Sequence, residues 1–137
     1  MDIAGLCAAA VSVAKIAYER VKEVEGIVGL SGDLRDSLID LQEFLESVVT
    51  TFGETIKDTI YHDPHNREKY EYDTEKFESR IRRCEELCRQ VNEILISIRT
   101  ASRPRIKAYK KLGNLQRLGS ELQTAKENLT AFVPIIS

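Results

Sequence analysis

The sequence predicts an all-α fold, a four-helix bundle of long amphipathic helices with short connections. Three observations lead there. Apolar residues recur three and four apart over four long stretches. Only seven Gly and three Pro punctuate 137 residues, too few for a turn-rich sandwich. An apolar fraction of 42 % beside a charged fraction of 31 % supplies a core under a solvated exterior. A chain of this length is expected to form one domain, residues 1–137.

The first helix is expected over about residues 2–26, with the stripe Ile3, Leu6, Ala10, Val13, Ala17, Val21 and Val24. The run Ala8–Ala10 favours helix because alanine loses no side-chain entropy. Gly26, Gly29 and Gly32 are expected to break it, and Ser31 or Asp33 to cap the next helix. That second helix, about 33–60, carries Leu34, Leu38, Leu41, Leu45, Val48, Phe52 and Ile56. Gly53 and several Thr weaken its later half. The polar segment Tyr61–Asp73, which contains Pro64, reads as a loop.

The third helix, about 74–100, has the cleanest pattern. Phe77, Ile81, Cys84, Cys88, Val91, Leu95 and Ile98 alternate four-and-three as a heptad seam, widened by Leu87 and Ile94. Thr100–Arg103 make a turn, and Pro104 suits the first turn of the next helix, where a missing amide is harmless. The fourth helix, about 104–132, carries Leu112, Leu115, Leu118, Leu122, Ala125, Leu129 and Phe132, and Pro134 is expected to stop it. Met1 opens directly into the first helix, so the chain reads as the N-terminal module of a longer protein.

Catalytic and metal chemistry find little to work with. Three Cys at scattered spacing do not make a disulfide framework and point to a reducing compartment. Cys84 and Cys88 share a helix face, but both occupy seam positions and read, with Cys7, as core thiols. His62 and His65 flank Pro64 in the expected loop and lack a full ligand set. Neighbouring carboxylates such as Glu85 and Glu86 alternate with Arg82, Arg83 and Arg89, as solvating ion pairs do. No phosphate loop and no nucleophile–base set stands out, so neither an enzyme nor a cofactor is expected.

Two features rise above this background. From Arg99 to Ser120 there are seven basic residues and no acidic one: Arg99, Arg103, Arg105, Lys107, Lys110, Lys111 and Arg117. With a formal total of −2, setting these aside leaves −9 on the remainder. Such a block is either an anion-binding patch or the partner of an acidic stretch such as Glu54–Glu78. Sparse aromatics (7 %, no Trp) and the negative total argue against nucleic acid, and anionic lipid is favoured. Arg103, Arg105, Lys107, Lys110 and Lys111 are the expected phospholipid contacts.

The second feature is the first helix, apolar on nearly all sides from Ile3 to Ala14. It is either the centre of the bundle or a segment stored there for a membrane. About thirteen residues reach only roughly 20 Å, against a hydrocarbon core of about 30 Å. A lone helix therefore buries itself only partway.

The apolar, Ala-rich first helix at Met1, the Gly-containing turn, the three longer amphipathic helices and the ending Leu129–Ile136 (LTAFVPII) together resemble the HeLo-like group of N-terminal bundles. That group includes the bundle of mixed lineage kinase domain-like protein, the HeLo domains of fungal incompatibility proteins and related plant resistance domains. The resemblance covers nearly the whole chain. It implies a non-enzymatic cell-death or immune signalling module. Such a module is cytoplasmic, restrained by regulatory domains of the same chain, and recruited to the plasma membrane on activation. There it self-associates and binds or permeabilises anionic membranes. Onto the first helix it carries the membrane-inserting positions Ile3, Leu6, Val11, Val13 and Ile16. The basic block departs from the mammalian pattern, in which lipid-contacting cations lie mainly on the early helices. The competing expectation is an adaptor bundle that binds proteins, itself included, with no membrane step.

Overall fold

The computed structural model describes residues 3–29, 32–60 and 64–136, and among side chains those of 5–29, 32–50 and 75–131. Nearly all of them lie in four helices: α1 (Ile3–Val28), α2 (Asp33–Ile60), α3 (Pro64–Arg99) and α4 (Pro104–Ile136). No strand occurs among the described residues, and the helices pack as the expected all-α four-helix bundle.

Several boundaries correct the sequence expectations. α1 runs through Gly26 and ends at Val28, because the chain turns at Gly29, whose φ of 67° suits a residue without a Cβ. The Gly29 amide donates back to the Glu25 carbonyl at 3.1 Å, closing the helix with a left-handed cap. The Gly32 carbonyl accepts from the Asp36 amide at 2.9 Å, so Gly32 takes the capping place at the start of α2. Asp33 is instead the first helical residue, and with Asp36 it sets negative charge against the positive end of the helix. Ser31 lies outside the described residues.

The expected loop Tyr61–Asp73 is helical from Pro64 onward, and Tyr61–Asp63 lie outside the described residues. Proline fits a helix's first turn, and Arg67, Glu68, Lys69 and Glu71 are good helix formers. Polarity in a segment is therefore no sign against helix. α4 likewise continues through Pro134 to Ile136. Proline's φ is itself helical, and so close to the end it removes a single backbone bond. The turn between α3 and α4 is as expected, with the Lys107 amide donating to the Arg103 carbonyl at 3.1 Å.

The core follows the apolar stripes. In α3 all seven seam residues and Leu87 are buried, and Ile94 packs at the edge. In α2 Leu34, Leu38, Leu41, Leu45 and Val48 are buried, while the side chains of Phe52 and Ile56 lie outside the described set. α4 contributes Leu115, Leu118, Leu122, Ala125 and Leu129, and Ala108 takes the inward place that Leu112 was expected to fill. α1 inserts small residues, with Cys7, Ala10, Ala14 and Ala17 almost wholly inaccessible. No polar or charged residue among those described is fully buried.

Cross-helix polar contacts fix the directions. Lys15 pairs with Glu46 at 3.7 Å and Arg35 with Glu25 at 3.0 Å, so α1 and α2 are antiparallel. Arg99 reaches Glu23 at 2.7 Å, which sets α3 parallel to α1. Arg83 pairs with Glu121 at 3.5 Å and Arg80 donates to the Asn128 carbonyl at 3.2 Å, so α4 runs back along α3. Lys126 lies 4.0 Å from Asp40, parallel to α2. α1 and α4 occupy diagonal corners and scarcely touch, as do α2 and α3. The bundle is thus two antiparallel hairpins side by side, with α2 and α3, consecutive in the chain, on one diagonal.

Candidate functional site

The block of seven cations is divided by the fold. Arg99 is held by Glu23 of α1, and Arg117 donates to Glu121 one turn further along α4 at 3.2 Å. The other five, Arg103, Arg105, Lys107, Lys110 and Lys111, sit on the cap and first two turns of α4. Among the described residues none of their side chains forms an ion pair. Arg103, Arg105 and Lys110 are exposed, and Lys107 and Lys111 are half-buried.

Of the acidic stretch Glu54–Glu78, the carboxylates with described side chains, Glu75 and Glu78, stand far from these cations. α4 begins beside the end of α3, whereas Glu78 lies 21 residues before Arg99 on that helix, about 30 Å away along its axis. Glu75 and Glu78 form no ion pair with the five cations, and the side chains of Glu54–Asp73 lie outside the described set.

Three large apolar side chains stand among these cations. Tyr109 is 81 % exposed, Ile106 48 % and Leu112 38 %. At 3.6 residues per turn, Arg105, Tyr109 and Leu112 fall within about 60° of arc, with Ile106 roughly 60° beyond. Sequence reasoning missed this stripe because it assigned Leu112 to the core. The signal was present for Tyr109, which lies about 100–140° round the helix from Ala108, Leu115 and Leu122, but not for Leu112, only about 40–60° from Ala108 and Leu115. Beside Leu112 a groove of about 430 Å³ opens between α2 and α4, floored by Leu34, Ser37, Leu115 and Gly119.

The residues expected to enter a membrane are not gathered on one surface. Leu6 and Val11 are buried, Val13 is half-buried, and Ile16 is 51 % exposed. The Ile3 side chain lies outside the described set. α1's outward face is Ala8, Ser12, Lys15, Ile16 and Glu19, and the Ser12 hydroxyl donates to the Ala8 carbonyl at 3.1 Å. Much of α1's apolar character is therefore alanine: Ala10, Ala14 and Ala17 are buried where the helices pack closely, while Ala8 faces outward. Nor is α1 central, since it holds one corner between α2 and α3. No helix among the described residues is long and apolar enough to cross a membrane.

Cys7, Cys84 and Cys88 are free and buried, as core packing required. Burial pushes each thiol up to about 12, and Cys7 beside Cys84 adds to the effect there. Such thiols stay protonated and are poor nucleophiles and metal ligands. No group of His, Cys, Asp and Glu among the described residues could hold a metal ion. His62 lies outside the described residues, as does the His65 side chain.

Compared with family models, curated proteins and solved structures, the chain finds no match.

Proposed function

We propose that this chain is a non-enzymatic signalling bundle that docks on anionic membranes through the start of α4 and self-associates there. The observation that carries this reading is the set of five cations, Arg103, Arg105, Lys107, Lys110 and Lys111, without carboxylate partners among the described residues. Each basic residue near an anionic leaflet contributes about 1 kcal/mol, so five give at most about 5 kcal/mol, a Kd of roughly 0.2 mM, before any apolar contact. The likeness of the helix pattern to HeLo-like bundles adds the context, cell death or innate immunity. In that context regulatory domains of the same chain hold the bundle inactive, and α1 acts after docking, once copies have gathered. Membrane permeabilisation requires α1 to leave its corner, because Leu6 and Val11 face the core.

The adaptor reading rests on a separate observation, the groove between α2 and α4 beside exposed Leu112. Vesicle flotation separates the two. The intact chain is expected to float with anionic vesicles and not with zwitterionic ones. Arg105→Glu with Lys110→Glu, both at exposed positions, is expected to abolish flotation while the helical circular dichroism is unchanged. A folded chain that ignores anionic vesicles at low salt, alone or cross-linked into oligomers, overturns the membrane reading and leaves the adaptor.

A further inference from the structure

We infer that α4 docks with the bundle still closed, seating Ile106, Tyr109 and Leu112 among the lipid headgroups while α1 faces away from the membrane. This deepens the membrane reading above and rests on it. Two independent features of the fold carry it.

The first is the composition of α4's outward face. A purely electrostatic patch needs only cations. Here a tyrosine that is 81 % exposed stands one turn from Arg105, with Ile106 and Leu112 to either side. A tyrosine ring is apolar in body and polar at its tip, which suits the headgroup level. Lysine and arginine stems can lie along apolar surface while their charges reach phosphate. Arg105 lies within the arc of the stripe and Lys110 about 40° beyond Ile106, whereas Lys107 and Lys111 lie about 160° from Tyr109 on the half-buried side. An outward face that joins cations to a short apolar stripe lies in the plane of the interface. Anionic lipid therefore meets both parts of the face, whereas a free phosphate would answer only the charge.

The second is the diagonal placement. α1 packs on α2 and α3 and scarcely touches α4, so the outward faces of α1 and α4 look in opposite directions. A flat bilayer cannot meet both faces of a closed bundle. Docking and the release of α1 are then successive events, and the first needs none of α1's apolar surface.

The chain holds no Trp, so a single introduced one reports depth without background. Tyr109→Trp and Ile16→Trp place it at exposed positions on the two opposed faces. Each full chain is mixed with phosphatidylcholine vesicles containing about a third phosphatidylserine, in lipid excess, with brominated phosphatidylcholine as quencher. The inference expects a blue shift and quenching for Tyr109→Trp, and an unchanged spectrum for Ile16→Trp. It also expects Ile106→Ser with Leu112→Ser to weaken binding about tenfold and to raise its sensitivity to salt. Vesicle binding with an unquenched Tyr109→Trp overturns the inference while membrane docking stands. Quenching at both positions overturns the far-side placement of α1. If neither variant nor the parent chain binds these vesicles, membrane docking fails, and the inference with it.

Discussion

Cys7, Cys84 and Cys88 illustrate how burial alone sets the chemistry of a side chain. Each thiol is inaccessible in the fold, and burial moves it from an ordinary value of 9.0 to about 12. The unfolded chain therefore sheds these protons first as pH rises. The thiols' contribution to stability is complete below about pH 9 and is lost as pH climbs toward 12. Stability should fall between pH 8 and pH 10.5, and fall less in Cys88→Ala, by about 1–2 kcal/mol, since one shifted group is worth about 1.4 kcal/mol per pH unit. Urea unfolding of both chains at the two pH values measures this. Glu25 shows a different balance: its side chain is 16 % exposed, one oxygen meets Arg35, and the other has no hydrogen-bond partner. That pair ties the ends of α1 and α2 across the Gly29 turn.

Helices rather than residues explain which sequence expectations held. The α3 seam was legible because a four-and-three alternation admits one buried face, and all seven residues occupy it. The start of α3 was not legible: Pro64–Asp73 offers no apolar stripe, and periodicity is silent about a helix without one. Leu112 misled for a related reason, since the choice between it and Ala108 depends on how α4 rotates against α2 and α3. α1 tests the distinction between stored and built-in apolar surface. Ala17 is wholly buried where α1 packs closely on its neighbours, so Ala17→Leu should cost about 1–3 kcal/mol by overpacking. Ile16 is 51 % exposed, and Ile16→Glu should change stability by less than about 0.5 kcal/mol. Thermal or urea unfolding of the two variants checks both values. A large loss with Ile16→Glu would mean that α1 buries this face against something else.

At the scale of the whole molecule, the basic block was readable from the chain, but its division was not. Sequence could count seven cations; only the packing reveals that Glu23 and Glu121 engage Arg99 and Arg117 and leave five. The diagonal relation of α1 and α4 was equally hidden, because the apolar stripes do not say which helices pack side by side. That relation sets the two elements that the sequence singled out, the first helix and the basic block, at opposite corners of the bundle. Under the membrane reading proposed above, α4 docks first while α1 stays packed on α2 and α3. Amide hydrogen exchange, with and without anionic vesicles in lipid excess, tests this most directly. The account predicts that amides of Ile106–Leu112 gain protection on binding while those of Leu6–Val24 keep theirs. Loss of protection along Leu6–Val24 at the first contact with lipid, with α4 unchanged, would contradict it.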